Sequence, residues 1–231
     1  QDQIATSIGA DRDEIIFTSG ATESNNLAIL GIAQGTAANS REKILVGATE
    51  HKCVLQAADQ GSAALGSKPE LLTVDSTGTV DLANLQDALK ENVLLVSVMA
   101  VNNEVGTINN IHAIAEIVRG AGAFFHCDAA QAPTAIDISN LAEIADLVSL
   151  SAHKMYGPQG IGALFIRRDV QRAMKPIIYG GGQQNGLRSG TVPVALAVGM
   201  GKALEMCSSE HSALDIQNVR KLRDQFTNAI L

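Results

Sequence analysis

The chain is predicted to be an α/β protein with a mostly parallel or mixed sheet. Three observations predict it. Short apolar runs alternate with longer stretches of helical periodicity. Several of those runs are apolar at every position, as in strands covered on both faces. Polar residues gather where the runs end.

In chain order, QDQIATSIGA (1–10) carries no signal or transit pattern and reads as the middle of a helix, so the chain is expected to begin inside a longer protein. EIIFTSG (14–20) reads as a strand and 22–38 as a helix. KILVGATE (43–50) is a strand, followed by a helix to about Ala64. ELLTVDS (70–76) reads as a strand and 82–89 as a helix. NVLLVSVM (92–99) is a fully apolar strand, and 111–122 is a helix ended by glycine. AFFHCDA (123–129), DLVSLSA (146–152) and GALFIRR (162–168) complete the strands. Beyond Thr191 a long apolar helix leads into a more charged one. Residues 1–231 suffice for one large domain, or for one domain with a small appendage.

Composition narrows the function. Hydrophobic residues make up 46% of the chain and aromatic residues only 3%, with 21 glycines, which points to helices packed closely on a sheet. The net charge of −7, with no basic block, argues against direct nucleic-acid binding. No apolar run approaches the ~18 residues of a membrane span. Cys53, Cys127 and Cys207 are few, odd in number and far apart, which favours a reducing compartment over a disulfide scaffold. No paired-cysteine or paired-histidine spacing suggests a metal.

In an open α/β sheet, ligands lie beyond the carboxyl ends of the strands. Thr18 to Thr22 follows the first strand and opens a helix; its backbone N–H groups and the Thr22 hydroxyl suit a phosphate, although a capped glycine turn has the same pattern. Thr49-Glu50-His51 and Asn102-Asn103-Glu104 follow the second and fourth strands, and each also reads as a capped loop. Strand alternation puts His126 and Asp128 on one side of their strand and Cys127 on the other. Asp128 needs a partner if buried, either a cationic ligand group or the backbone of the Ala-Ala-Gln turn after it. Gln131 could offer an amide to the same ligand.

Ser149, Ser151 and His153 share a face in LVSLSAHKMYGPQG, and Lys154 sits where that strand breaks at Gly157-Pro158. A phosphate would give Ser151 and His153 a partner. The adjacent lysine, losing water and gaining a cationic neighbour, would become nucleophilic toward a carbonyl. A phosphorylated aldehyde cofactor fits the anion cradle, the lysine and the aspartate together. In GGGQQNGLRSGT (180–191), Arg188 could hold a carboxylate or phosphate through two bonds, and the glycines allow close approach to a ligand or a second subunit.

SGATESNNLAI, ATEHKCVL, NNEVGTI, FHCDAAQ, SLSAHKMYGPQGIGAL and GGGQQNGLRSGTVP together resemble the cysteine desulfurases, class V aminotransferase-group enzymes dependent on pyridoxal 5'-phosphate. The likeness runs over nearly the whole chain and is nearest the branch serving iron–sulfur cluster assembly and tRNA thiolation. It implies a three-layer fold type I large domain. Lys154 would bind the cofactor aldehyde and shuttle protons, and Asp128 would face the pyridine nitrogen. His51 would stack on the ring and assist proton transfer. Gln131 would bond the phenolic oxygen, and Asn103 would set ring and substrate. Ala21, Thr22, Ser151 and His153 would hold the phosphate, with Thr191 reaching the site of a second subunit in a homodimer. Arg188 is assigned to the substrate. The implied reaction takes L-cysteine to L-alanine, with sulfur leaving as a persulfide for a scaffold or acceptor protein in the cytoplasm or mitochondrial matrix.

Two departures stand out. The family's persulfide-forming thiol lies on a mobile loop to which none of the three cysteines corresponds: Cys127 points away from Asp128, Cys53 falls about 200° round a helix from His51, and Cys207 follows a long apolar run. The small C-terminal domain and its substrate arginine are also expected to lie outside this sequence. Gln184-Asn185 replaces the usual Glu-Arg near the dimer seam. The rival readings are a selenocysteine lyase, another class V aminotransferase, or a non-catalytic cofactor-binding scaffold.

Overall fold

The computed structural model describes residues 1–36, 41–207 and 210–231. The strands are β1 (Ile15–Thr18), β2 (Lys43–Gly47), β3 (Glu70–Leu72), β4 (Val93–Ser97), β5 (Phe124–Asp128), β6 (Leu147–Ser151) and β7 (Gly162–Ile166). The helices are α1 (Asp2–Ile8), α2 (Ala21–Gly35), α3 (Lys52–Ala64), α4 (Leu82–Ala88), α5 (Ile111–Gly120), α6 (Leu141–Ile144), α7 (Val194–Cys207) and α8 (Glu210–Ile230). Positions 37 and 38 of the expected second helix lie outside the described residues.

The strands form one seven-stranded sheet in the order β1-β7-β6-β5-β4-β2-β3. Only β7 runs against its neighbours, pairing antiparallel with both β1 and β6. The other pairs are parallel. Consequently β1, β2, β4, β5 and β6 all end at the same sheet edge, where β7 begins. That edge collects the polar segments singled out in the sequence.

Side-chain alternation builds the three layers. Ile44, Val46, Leu147 and Leu164 join the α2 and α3 side, packing with Leu27, Ile32 and Val54. Their neighbours Leu45, Val148 and Phe165 join the opposite side with Ile4, Ile8, Ile114, Val118 and Met200. Each fully buried Leu, Ile or Phe contributes about 1.5–3 kcal/mol through removal from water. The small residues do what their abundance predicts. A Cβ on Gly61 of α3 would come within 3.4 Å of Ile44, Ile29 and Ala33, so the helix lies tight on the sheet.

Every strand is shorter than the segment expected for it, and two of the largest losses have a local cause. The segment 70–76 stops pairing at Leu72, because Asp75 turns the chain by accepting the N–H groups of Thr77 and Thr79. The segment 43–50 ends at Gly47, where Glu50 folds back into the space a side chain would occupy. The segment 92–99 keeps strand pairing to Ser97. At the opposite margin, β1 is an edge strand whose Phe17 N–H and C=O pair with the side-chain amide of Gln184. Gln184 thus blunts an open edge. α7 packs on α1, while α8 leaves Val219, Leu222 and Phe226 exposed. Among the described residues, no helix is long and apolar enough to cross a membrane.

Candidate active site

A cavity of about 490 Å³ opens at the shared sheet edge, with Thr22, His51, Asp128 and Lys154 among its lining residues. Its floor depends on one close approach. Gly162, the first residue of β7, lies so near Gly20 that a Cβ there would sit 2.6 Å from the Gly20 Cα. Gly20 itself holds φ 151°, a conformation reserved for glycine. This contact sets the start of α2 beside the end of β6. No side chain caps α2, and Gly20, Ala21, Thr22 and Glu23 all line the cavity, so the helix offers an anion unpaired N–H groups and the positive end of its dipole.

Asp128 ends β5 and is buried. Of its two readings from sequence the structure realises the turn cap, and a neutral amide within the chain, not a cation, bonds the second oxygen. Its Oδ1 accepts the N–H of Ala130 at 2.9 Å, closing the following turn, and its Oδ2 accepts Asn25 Nδ2 at 2.7 Å. Burial pushes its carboxyl above the ordinary range, and the Ala130 and Asn25 donors, with His51 and Lys154, pull the other way. Asn25 escaped the sequence reading, because its position inside α2 reads as an ordinary helical residue.

Two residues upstream, His126 serves the fold. Its Nδ1 lies 2.8 Å from Ser97 Oγ and its Nε2 2.9 Å from Ser149 Oγ, and the ring is fully buried. Burial depresses its pKa to about 3, so it is neutral. Ser149 therefore partners a core imidazole. Ser151, one pleat further, lines the cavity and lies 3.0 Å from His153 Nδ1.

Lys154 lies on a single 3₁₀ turn, Ala152–Met155, that follows β6 and closes on Tyr156 at φ 62°. The turn carries the lysine out to the cavity, where it remains exposed. The loss of water expected for it is not supplied by this chain's own packing. Asn103 and Gln131 also line the cavity. Asn102 caps the loop before them, its Oδ1 accepting from Glu104 and Val105 and its Nδ2 donating to Thr49.

Two expectations require correction, those for Arg188 and Cys53. Arg188, expected to bind the substrate, is not among the cavity residues. Its guanidinium grips Glu23 through Nε at 2.7 Å and Nη2 at 3.2 Å, taking its carboxylate from the chain itself. Burial alone would raise the Glu23 carboxyl, but Arg188 and the Ser19 N–H hold it below its usual range. Thr191, expected to reach a second subunit's site, is exposed and lies outside this chain's own cavity. Cys53 is not remote from His51. The helical-wheel angle fails because His51 is the N-cap of α3, with extended backbone (φ −57°, ψ 142°), and its ring turns back over Cys53. Cys53 lines the cavity, whereas Cys127 is fully buried and Cys207 lies against the Met155 carbonyl.

A family model described as aminotransferase class-V matches residues 1–231. The chain belongs to this family. A protein named cysteine desulfurase IscS from Rickettsia prowazekii is 48% identical over 227 residues, which is 98% of this chain and 55% of the relative. A solved NifS-like protein superposes with a TM-score of 0.93 at 36% identity, covering 99% of this chain and 62% of the other. A structure titled SspA in complex with cysteine matches with a TM-score of 0.82 at 40% identity, over 88% of this chain and 58% of the other. The chain spans about half the length of the curated relatives it matches.

Class-V aminotransferases depend on pyridoxal 5'-phosphate, and the residues of this aminotransferase fold fit that group. The uncapped α2 terminus, Ser151 and His153 suit its phosphate. Buried Asp128 suits the pyridine nitrogen, and Lys154 presents an amine on the same cavity.

Proposed function

We propose that this chain is the large cofactor-binding domain of a cysteine desulfurase, converting L-cysteine to L-alanine and passing sulfur on as a persulfide for iron–sulfur cluster assembly and tRNA thiolation. One observation carries the reading: an exposed lysine, a buried aspartate and an uncapped helix terminus, from three distant parts of the sequence, line one cavity of suitable size. The names of the matched relatives and the cysteine complex among the matched structures support the substrate.

Bound here, pyridoxal phosphate supplies an aldehyde for amine capture and a ring that withdraws electrons. The protein's own residues do the rest. Lys154 Nζ would be the amine that captures the aldehyde, and from the cavity wall it could hold or return a proton over about 3 Å. Asp128, fixed on both oxygens, would face the ring nitrogen and hold a proton there. The α2 terminus with Thr22, Ser151 and His153 anchors the phosphate. Asn103 and Gln131, which also line the cavity, would orient ring and substrate. Exposed Thr191 is available to a second subunit, in keeping with a homodimer, and a separate protein accepts the sulfur. The proposed setting is the cytoplasm, where the free thiols of Cys53, Cys127 and Cys207 suit reducing conditions. None of the three is assigned as the persulfide carrier.

Borohydride reduction of the chain incubated with pyridoxal phosphate, followed by peptide mass mapping, tests the site. The adduct is expected on the peptide containing Lys154 and is lost in Lys154→Ala with the thermal midpoint unchanged, because that side chain is exposed. An adduct confined to other lysines would sink the assignment. Comparison of L-cysteine with L-selenocysteine then separates desulfurase from selenocysteine lyase.

A further inference from the structure

The chain of hydrogen bonds behind the cavity has a direction. His51 Nδ1 receives the backbone N–H of Cys53 at 3.2 Å and lies 2.9 Å from Cys53 Sγ. A backbone N–H only donates, so Nδ1 is the lone-pair nitrogen of the ring. Cys53 Sγ also lies 3.3 Å from Asn25 Nδ2, which likewise only donates. The sulfur accepts there and keeps its own hydrogen for Nδ1. The other hydrogen of the Asn25 amide goes to Asp128 Oδ2 at 2.7 Å. Asn25 is fully buried and its Oδ1 has no partner, although the residue borders the cavity. Both of its hydrogens are therefore committed, one to the aspartate and one to the thiol.

We propose that Cys53, held by Asn25, is a positioning residue that fixes His51 in the Nε2–H tautomer, so that the imidazole meets the cavity as a hydrogen-bond donor. The ring edge opposite Cys53 then serves acceptor atoms, such as a thiolate or carboxylate of a bound amino acid. Burial pushes the Cys53 thiol up, helped by the nearby Asp128 and outweighing the Asn25 and Thr22 donors that pull it down, so the hydrogen stays on sulfur. The same effect makes Cys53 a poor nucleophile. Its work is done through His51. The use of the donor rests on the desulfurase reading; the tautomer does not.

Imidazole nitrogen NMR on the full chain, labelled at histidine and free of cofactor, tests this directly. The native protein is expected to show His51 with Nδ1 as acceptor and the proton on Nε2. In Cys53→Ala only the backbone N–H remains to hold Nδ1, and the single-tautomer pattern is expected to shift toward the mixture of a free imidazole. Cys53→Ser, which restores a donor, is expected to bring the native pattern back. The His126 signals, set by Ser97 and Ser149, report whether each variant is folded. If the alanine variant fails that check, near-isosteric Cys53→Val replaces it, with the same loss expected. A native Nδ1–H, or a folded Cys53→Ala or Cys53→Val indistinguishable from native, overturns the proposal. Because no cofactor is present, a chain with the locked tautomer but no lysine adduct would retain this inference and lose the proposed function.

Discussion

Two polar networks lie on the same side of β5, two residues apart, and they are built to opposite ends. The first is Ser97–His126–Ser149, in which both ring nitrogens are bonded and the imidazole is sealed in the sheet. The second runs from Asp128 through Asn25 and Cys53 to His51, and it ends on a ring with one nitrogen left for the cavity. The inner network closes on itself. The outer one leaves the Asn25 Oδ1 unpaired and stops at solvent. The same residue types hold the sheet together where they are saturated and present a chemical group where they are not.

The largest effect expected from this contrast is on stability. His126→Ala strips two buried hydroxyls of their partner and opens a cavity, so a loss of about 3–4 kcal/mol is expected in chemical denaturation. His51→Ala removes the cap of α3 and the partner of the Cys53 thiol, both beside solvent, and should cost about 1 kcal/mol. Equal losses would erase the distinction between the two rings.

Acid titration sharpens it. The folded pKa of His126 is about 3 against 6.5 for the free side chain, so between those values the folded state binds fewer protons than the unfolded chain. Stability supplied by neutral His126 is complete above pH 6.5 and drains away as the pH falls toward 3. A folded His126→Asn variant should flatten that slope, as read from denaturation midpoints across the window.

Glu50 is the smallest test, and it has the opposite sign. Its Oε1 accepts the Met99 N–H at 2.7 Å, its Oε2 is buried without a partner, and burial drives its carboxyl well above 4.5. The folded state therefore binds the extra proton, and its contribution is greatest below pH 4.5 and declines as the pH rises. Glu50→Gln preserves the acceptor and carries no charge. It should change stability by less than about 1 kcal/mol at low pH and remove the decline above it. A large loss at pH 4.5 would show that Glu50 works as a carboxylate.

Much of this architecture was legible from residue order. The apolar runs marked every strand, alternation separated Cys127 from Asp128, and the polar segments named most of the cavity's lining. The illegible parts share a cause. Asn25 meets Asp128 across 103 positions, and Arg188 meets Glu23 across 165. Neither pairing leaves a local pattern. Cys53 was misplaced because a wheel assumes helical backbone at His51, where the chain is still extended.

By itself, the sequence determined which segments become strands and helices, because burial repeats with the period of the backbone. It also determined that a lysine, an aspartate and a helix start led by Gly20 would finish at one sheet edge, since parallel strands share their carboxyl end. Only the tertiary structure decided which arginine was already paired, which imidazole was sealed and which stayed open. Those outcomes depend on contacts between residues far apart in the chain, and desolvation at each contact sets what the group can do.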